Sequence, residues 1–129
     1  MAAWLVTEDP QQFIRVDAIV NVNPLPIFKD DDELQWNHEP WRRFRAADHV
    51  QIIVGTQAGQ QVRALSCPGY AADGAIAELL YVLADLAGKY DAASQPVFVY
   101  GPRGSRARWD KGVWTVADQI PKPDWLPYW

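Results

Sequence analysis

The chain is poor in sulfur and imidazole, with one cysteine, one methionine and two histidines in 129 residues. The lone Cys67 excludes an internal disulfide framework and a multi-cysteine zinc site. His38 and His49 leave few ways to build a transition-metal centre, and no metal or other cofactor is expected. Long apolar runs are also missing. Each is broken by Asp, Glu, Arg or Gly within a few residues, so no segment reads as a bilayer span. Residues Met1 to Glu8 carry neither a basic stretch nor a sustained apolar core, so no secretory leader is expected and a cytoplasmic location is the default. Positive charge is in deficit, twelve Lys and Arg against sixteen Asp and Glu, for a net charge of -4. That balance argues against a generic nucleic-acid coat or a polybasic membrane binder.

What is present points to a folded protein. Apolar residues make up 49% and charged residues 22% of the chain, which argues against wholesale disorder. A chain of this length buries about two-thirds of its unfolded surface, so residues 1–129 are expected to form a single domain. The compositional excess is seven tryptophans.

Trp4-Leu5-Val6-Thr7-Glu8 reads as a short strand, and Asp9-Pro10-Gln11-Gln12 as a turn. From Phe13 to Val22, Ile14, Val16, Ala18, Val20 and Val22 alternate with polar positions, which predicts one half-buried strand paired with the first as a hairpin. Asn23-Pro24-Leu25-Pro26 is expected to end it, because proline cannot donate to a ladder. Residues 23–48 read as an irregular insertion, relieved by a helical turn from Pro40 to Ala47. His49 to Gly55 and Gln60 to Cys67 form a second hairpin around Thr56-Gln57-Ala58-Gly59, with Val50, Ile52 and Val54 on one face and Ile53 on the other. In the returning strand Val62 and Ala64 alternate with Arg63 and Leu65.

The clearest element is a helix from about Asp73 to Tyr90. Ile76, Leu80, Leu83, Ala87 and Tyr90 set its apolar stripe, Leu79 and Leu86 widen it, and Asp73 is its expected N-cap. Asp85 and Lys89 form a favourable pair four residues apart. Val97 to Tyr100 and Gly112 to Ala117 then make a third hairpin, and residues 121–129 form an extended tail rich in Pro and aromatics. The expected class is α+β: an antiparallel sheet of about six strands covered by one main helix, in the order β-β-β-β-α-β-β.

The segments Trp4-Leu5-Val6-Thr7 and Val16-Asp17-Ala18-Ile19-Val20 and the helix Ala75 to Tyr90 carry a resemblance. Residues 4–90 resemble small uncharacterised proteins of actinobacteria and their phages. Those have a short turn where this chain has residues 23–48, and they usually stop near the helix end. The resemblance implies a β-meander plus a helix and supplies no activity and no site residues.

Four constellations carry chemistry. Cys67 precedes Pro68-Gly69 and the helix, where a thiolate could be favoured; the bland alternative is a small buried hydrophobe. Asp30, Asp31, Asp32 and Glu33 lack the alternate spacing and the glycine of a calcium loop, and adjacent acids usually face water. They could instead neutralise a basic partner, as an acidic inhibitor or immunity-type protein would. Arg103, Arg106, Arg108 and Lys111 with Trp109, in the 101–111 hairpin, could hold phosphates and stack on a base; the alternative is a solvated tip. Trp36, Trp41 and Phe44 in the loop and Trp125, Tyr128 and Trp129 in the tail are typical anchors of protein interfaces, unless they cover the chain's own sheet. That aromatic surplus favours a non-enzymatic interaction or assembly module, with a protein partner or a second copy of itself.

Overall fold

The structure, a computed structural model, describes residues 3–7, 11–27, 47–89, 95–102, 109 and 113–120. It is α+β with one main helix. Strand β1 (Ala3–Val6) pairs with β2 (Phe13–Arg15) as the expected hairpin, with Leu5 opposite Ile14. The hairpin is closed by Thr7, whose N–H donates to the Gln12 carbonyl at 2.9 Å while its Oγ1 accepts the Gln12 N–H at 3.0 Å. That exchange satisfies the polar groups of a fully buried threonine.

The run from Phe13 to Val22 is not one strand. After Arg15 the chain makes a 3-10 turn at Val16–Ala18 and then enters β3 (Ile19–Ile27), which belongs to a different sheet. Alternation hid the switch. The turn takes three residues, and a bulge between Ile19 and Asn21 adds one more, so the apolar parity is restored by Val22. The bulged Val20 is 57% exposed instead of lying in the core.

The prolines do not end β3 either. Pro24 lies opposite Ile52 and Pro26 opposite Val50 in β4 (His49–Thr56). The Ile27 carbonyl, which accepts the Asp48 N–H at 3.0 Å, points toward β4. Pro24 and Pro26 have the opposite parity, so their missing donors fall on the outer side of an edge strand, where a ladder needs none.

β4 returns through a turn at Gln57–Gly59, with Gly59 at φ 84, into β5 (Gln61–Cys67). The order β3-β4-β5 is antiparallel throughout. Here too strict alternation fails. Ile52 faces Leu65 while the next residue, Ile53, faces Arg63, so Ala64 is an extra residue. The bulge sends both Ala64 and Leu65 into the core.

A 3-10 turn at Gly69–Ala71 leads into helix α1 (Ala72–Lys89). Asp73 is therefore not the N-cap: it is the second helical residue, where its carboxylate meets the positive end of the helix dipole. Strand β6 (Val97–Tyr100) then pairs in parallel with β1, Ala3 beside Val97 and Leu5 beside Val99, and antiparallel with β7 (Thr115–Ala117). The single antiparallel sheet expected from sequence is thus two sheets, β2-β1-β6-β7 and β3-β4-β5, and the first is mixed. A parallel pair requires a long crossover, which the second sheet and α1 supply. Local pattern could not disclose it. Tyr90, the expected helical turn within 40–46 and the side chain of Lys89 lie outside the described residues.

The core joins Leu5, Ile14 and Val99 from one sheet with Val50, Ile52, Val54 and Leu65 from the other, over Ala75, Leu79 and Leu86 of α1. At roughly 25 cal/mol per Å² of apolar surface, each fully buried Leu or Ile contributes about 2 kcal/mol before entropy is counted.

Candidate interaction surface

The buried line of α1 is Ala72, Ala75, Leu79 and Leu86. Ile76, Val82 and Leu83 flank it, half-buried. The stripe is thus rotated from the sequence expectation. Leu79 and Leu86 are its centre, while Leu80 is 49% exposed and Ala87 faces solvent.

The opposite line runs from Tyr70, in the 3-10 turn ahead of the helix, through Gly74, Ala77, Tyr81, Ala84 and Gly88, and every one of these residues is exposed. Tyr70 is 73% and Tyr81 74% exposed. A helix face in water is normally polar or charged. Between Ala72 and Gly88 the one charged residue classed as exposed is Asp73. Glu78, on the flank, is half-buried and accepts the Val113 N–H at 2.9 Å.

Glycine use on this face has no explanation in contacts among the described residues. At Gly55 an added Cβ would strike the side chains of Asn21 and Gln61, and at Gly101 that of Leu65. Gly74 and Gly88 would gain a Cβ with nothing within 4 Å. Each exposed helical glycine costs about 1 kcal/mol relative to alanine, and packing among the described residues gives no return for either.

The segment before β7 fixes the helix in place. The Trp114 indole N–H donates to the Ala75 carbonyl at 2.8 Å, and the ring is buried. Together with the Val113–Glu78 bond this ties two successive turns of α1 along one flank and leaves the tyrosine face open.

A second concavity, a cleft of about 350 Å³, lies between the β1–β2 hairpin and the β4–β5 turn. Trp4 and Phe13 give it aromatic walls, and Arg15, Gln57 and Gln60 line it with polar groups. Arg15 is already bonded to Asp17 at 2.9 Å, an exposed pair of small energetic weight. Phe13 also meets Phe98 edge to face, with centroids 6.2 Å apart.

Of the residues singled out from sequence, Trp36, Trp41, Phe44, Trp125, Tyr128 and Trp129 lie outside the described residues. So do Arg103, Arg106, Arg108, Lys111, His38 and the acids Asp30 to Glu33. Trp109 is described, and it packs half-buried against the core. Trp114 is a core residue just ahead of β7, so part of the tryptophan excess does serve the interior. Cys67 is 2% exposed at the end of β5. Burial pushes its thiol up to about 11, which makes it a small core hydrophobe and a poor nucleophile. His49 sits half-buried opposite Ile27.

Among the described residues, no three His, Cys, Asp or Glu side chains gather into a metal-holding group, and no helix is long and apolar enough to cross a membrane. Tyr70, Gly74, Leu80, Tyr81 and Gly88, which lie exposed here, are not among the candidate site residues read from sequence. Their signal was present: apart from Asp73, Glu78, Asp85 and Lys89, α1 is apolar or small, more than one buried stripe requires. No family model matches the chain, and neither does any curated protein or solved structure.

Proposed function

We propose that the chain is a non-enzymatic protein-interaction module whose contact surface is the outward face of α1. The observation that carries this reading is the pair of tyrosines, three-quarters exposed, Tyr81 on α1 and Tyr70 in the 3-10 turn leading into it, beside exposed residues that are small or apolar except Asp73. Tyrosine offers a large apolar area and a hydroxyl at low entropic cost, which is why it anchors interfaces. Exposed apolar patches of this kind mark binding sites on soluble proteins. The loop and tail aromatics would add to such a surface as further anchors. The nucleic-acid reading of the 101–111 hairpin and the acidic-inhibitor reading of residues 30–33 rest on side chains outside the described residues.

The test is site-specific photo-crosslinking in cells expressing the full chain. A benzophenone amino acid replaces Tyr81 in one variant and Asn23, exposed on β3, in a control. A discrete adduct from position 81 and none from position 23 is the expected result, its composition read by mass spectrometry. Equal or absent crosslinking at both positions removes the reading.

A further inference from the structure

Along the exposed line that starts at Tyr70, in the 3-10 turn, and continues down α1, large and small residues are placed so that the line complements its own reversal. Tyr70, Gly74, Ala77, Tyr81, Ala84 and Gly88 lie nine, five and two positions before Leu79 and two, five and nine positions after it. Leu79 itself points the opposite way, into the core. When two such helices cross antiparallel about a two-fold axis at the level of Leu79, Tyr70 of one copy meets Gly88 of the other. Gly74 then meets Ala84, and Ala77 meets Tyr81. Each bulky ring falls on a small residue, and no ring meets a ring.

We infer that this face pairs with a second copy of the same chain, as an antiparallel helix–helix contact of two-fold symmetry. The inference rests on the proposed interaction role of the face and names its occupant. Two observations support it. An isologous interface must be complementary to itself, and the large-to-small pairing about one level meets that demand. Gly74 and Gly88, which have open space within their own chain, acquire a purpose, since glycine lets helix backbones approach closely.

The size of the contact sets its strength. Two tyrosines offer about 150 Å² each at this exposure. With Leu80 and the small residues between them, each copy would bury about 500 Å². The total of about 1,000 Å² is at the lower end for a specific interface, so a reversible dimer with a dissociation constant on the order of 10 μM or weaker is expected.

Sedimentation velocity of the full chain from about 5 μM to about 1 mM reads this directly. The expected result is a monomer–dimer equilibrium that Tyr81→Glu weakens at least tenfold, with circular dichroism unchanged. Register is read by disulfide trapping between Gly74→Cys and Ala84→Cys proteins; the buried Cys67 does not compete. A crosslink in the mixture, and none in either protein alone, is expected. A chain that stays monomeric to about 1 mM overturns the inference, as do self-crosslinks of the single variants or a Tyr81→Glu protein that dimerises normally. If the chain is monomeric while position 81 crosslinks to a different protein, the interaction reading stands and self-pairing falls. If position 81 crosslinks to nothing, both fall.

Discussion

Leu79 and Leu80 are adjacent in sequence, identical in chemistry and opposite in fate: the first is fully buried and the second is 49% exposed. They stand for two faces of α1. The inner face, Ala72, Ala75, Leu79 and Leu86, packs against both sheets. The outer face, from Tyr70 to Gly88, carries residues of nearly the same polarity and packs against nothing described. In an ordinary surface helix, polarity separates the faces. Here it does so weakly: alanine and leucine lie inward, and tyrosine, glycine, alanine and Leu80 outward. A face can therefore be apolar for one of two reasons, its own core or a partner, and composition alone does not distinguish them.

Mutations on the two faces break the comparison in different ways. The largest effect belongs to Leu79→Ala, which empties the centre of the core and should destabilise by about 2–5 kcal/mol in urea titration. Next comes pH. The Cys67 thiol titrates at about 11 in the folded chain against 9.0 ordinarily, so between those values the unfolded chain is the one that has lost its proton. Stability is therefore full below about pH 9 and declines toward pH 11, by about 2 kcal/mol. A Cys67→Ala protein should lack that component of the alkaline slope.

Trp114→Phe keeps most of the ring but removes the donor to Ala75, and should cost about 1 kcal/mol in the same titration. On the outer face the sign reverses. Gly74→Ala should stabilise the isolated chain by up to about 1 kcal/mol, since its Cβ meets nothing. The same change should weaken any helix that docks there, so a gain in melting temperature at high dilution accompanied by lost association sharpens the contrast. The smallest effect is expected for Tyr81→Ser, within about 0.5 kcal/mol of the parent. A loss above about 2 kcal/mol would mean that Tyr81 serves the fold and would erase the distinction between the faces.

The same contrast explains what was legible in the sequence. The β4–β5 hairpin was readable because Val50, Ile52 and Val54 alternate and the Gly59 turn is local. The helix span was readable from its period. Its orientation was not, because Leu80, Leu83 and Ala87 make as good a stripe as Leu79 and Leu86 when both sides are apolar. The single sheet was misread at Val16–Ala18, where three residues carry the chain between sheets without disturbing its alternation. The proline pair Pro24 and Pro26 reads locally as a stop because pattern does not reveal which strand is an edge. Lone-cysteine chemistry was settled by burial, which no spacing rule supplies.

By itself, then, the sequence determined part of the local conformation: the extended segments around Trp4, His49 to Cys67 and Val97, the Gly59 turn, and one long helix among strands, because these follow from backbone sterics and hydrophobic period over a few residues. Only the tertiary structure decided that β1 pairs in parallel with β6, that Trp114 donates its indole N–H to the helix, and which apolar side of α1 faces the core. Those outcomes depend on contacts between residues distant along the chain, where the free energy of burial chooses among faces that local pattern leaves equivalent.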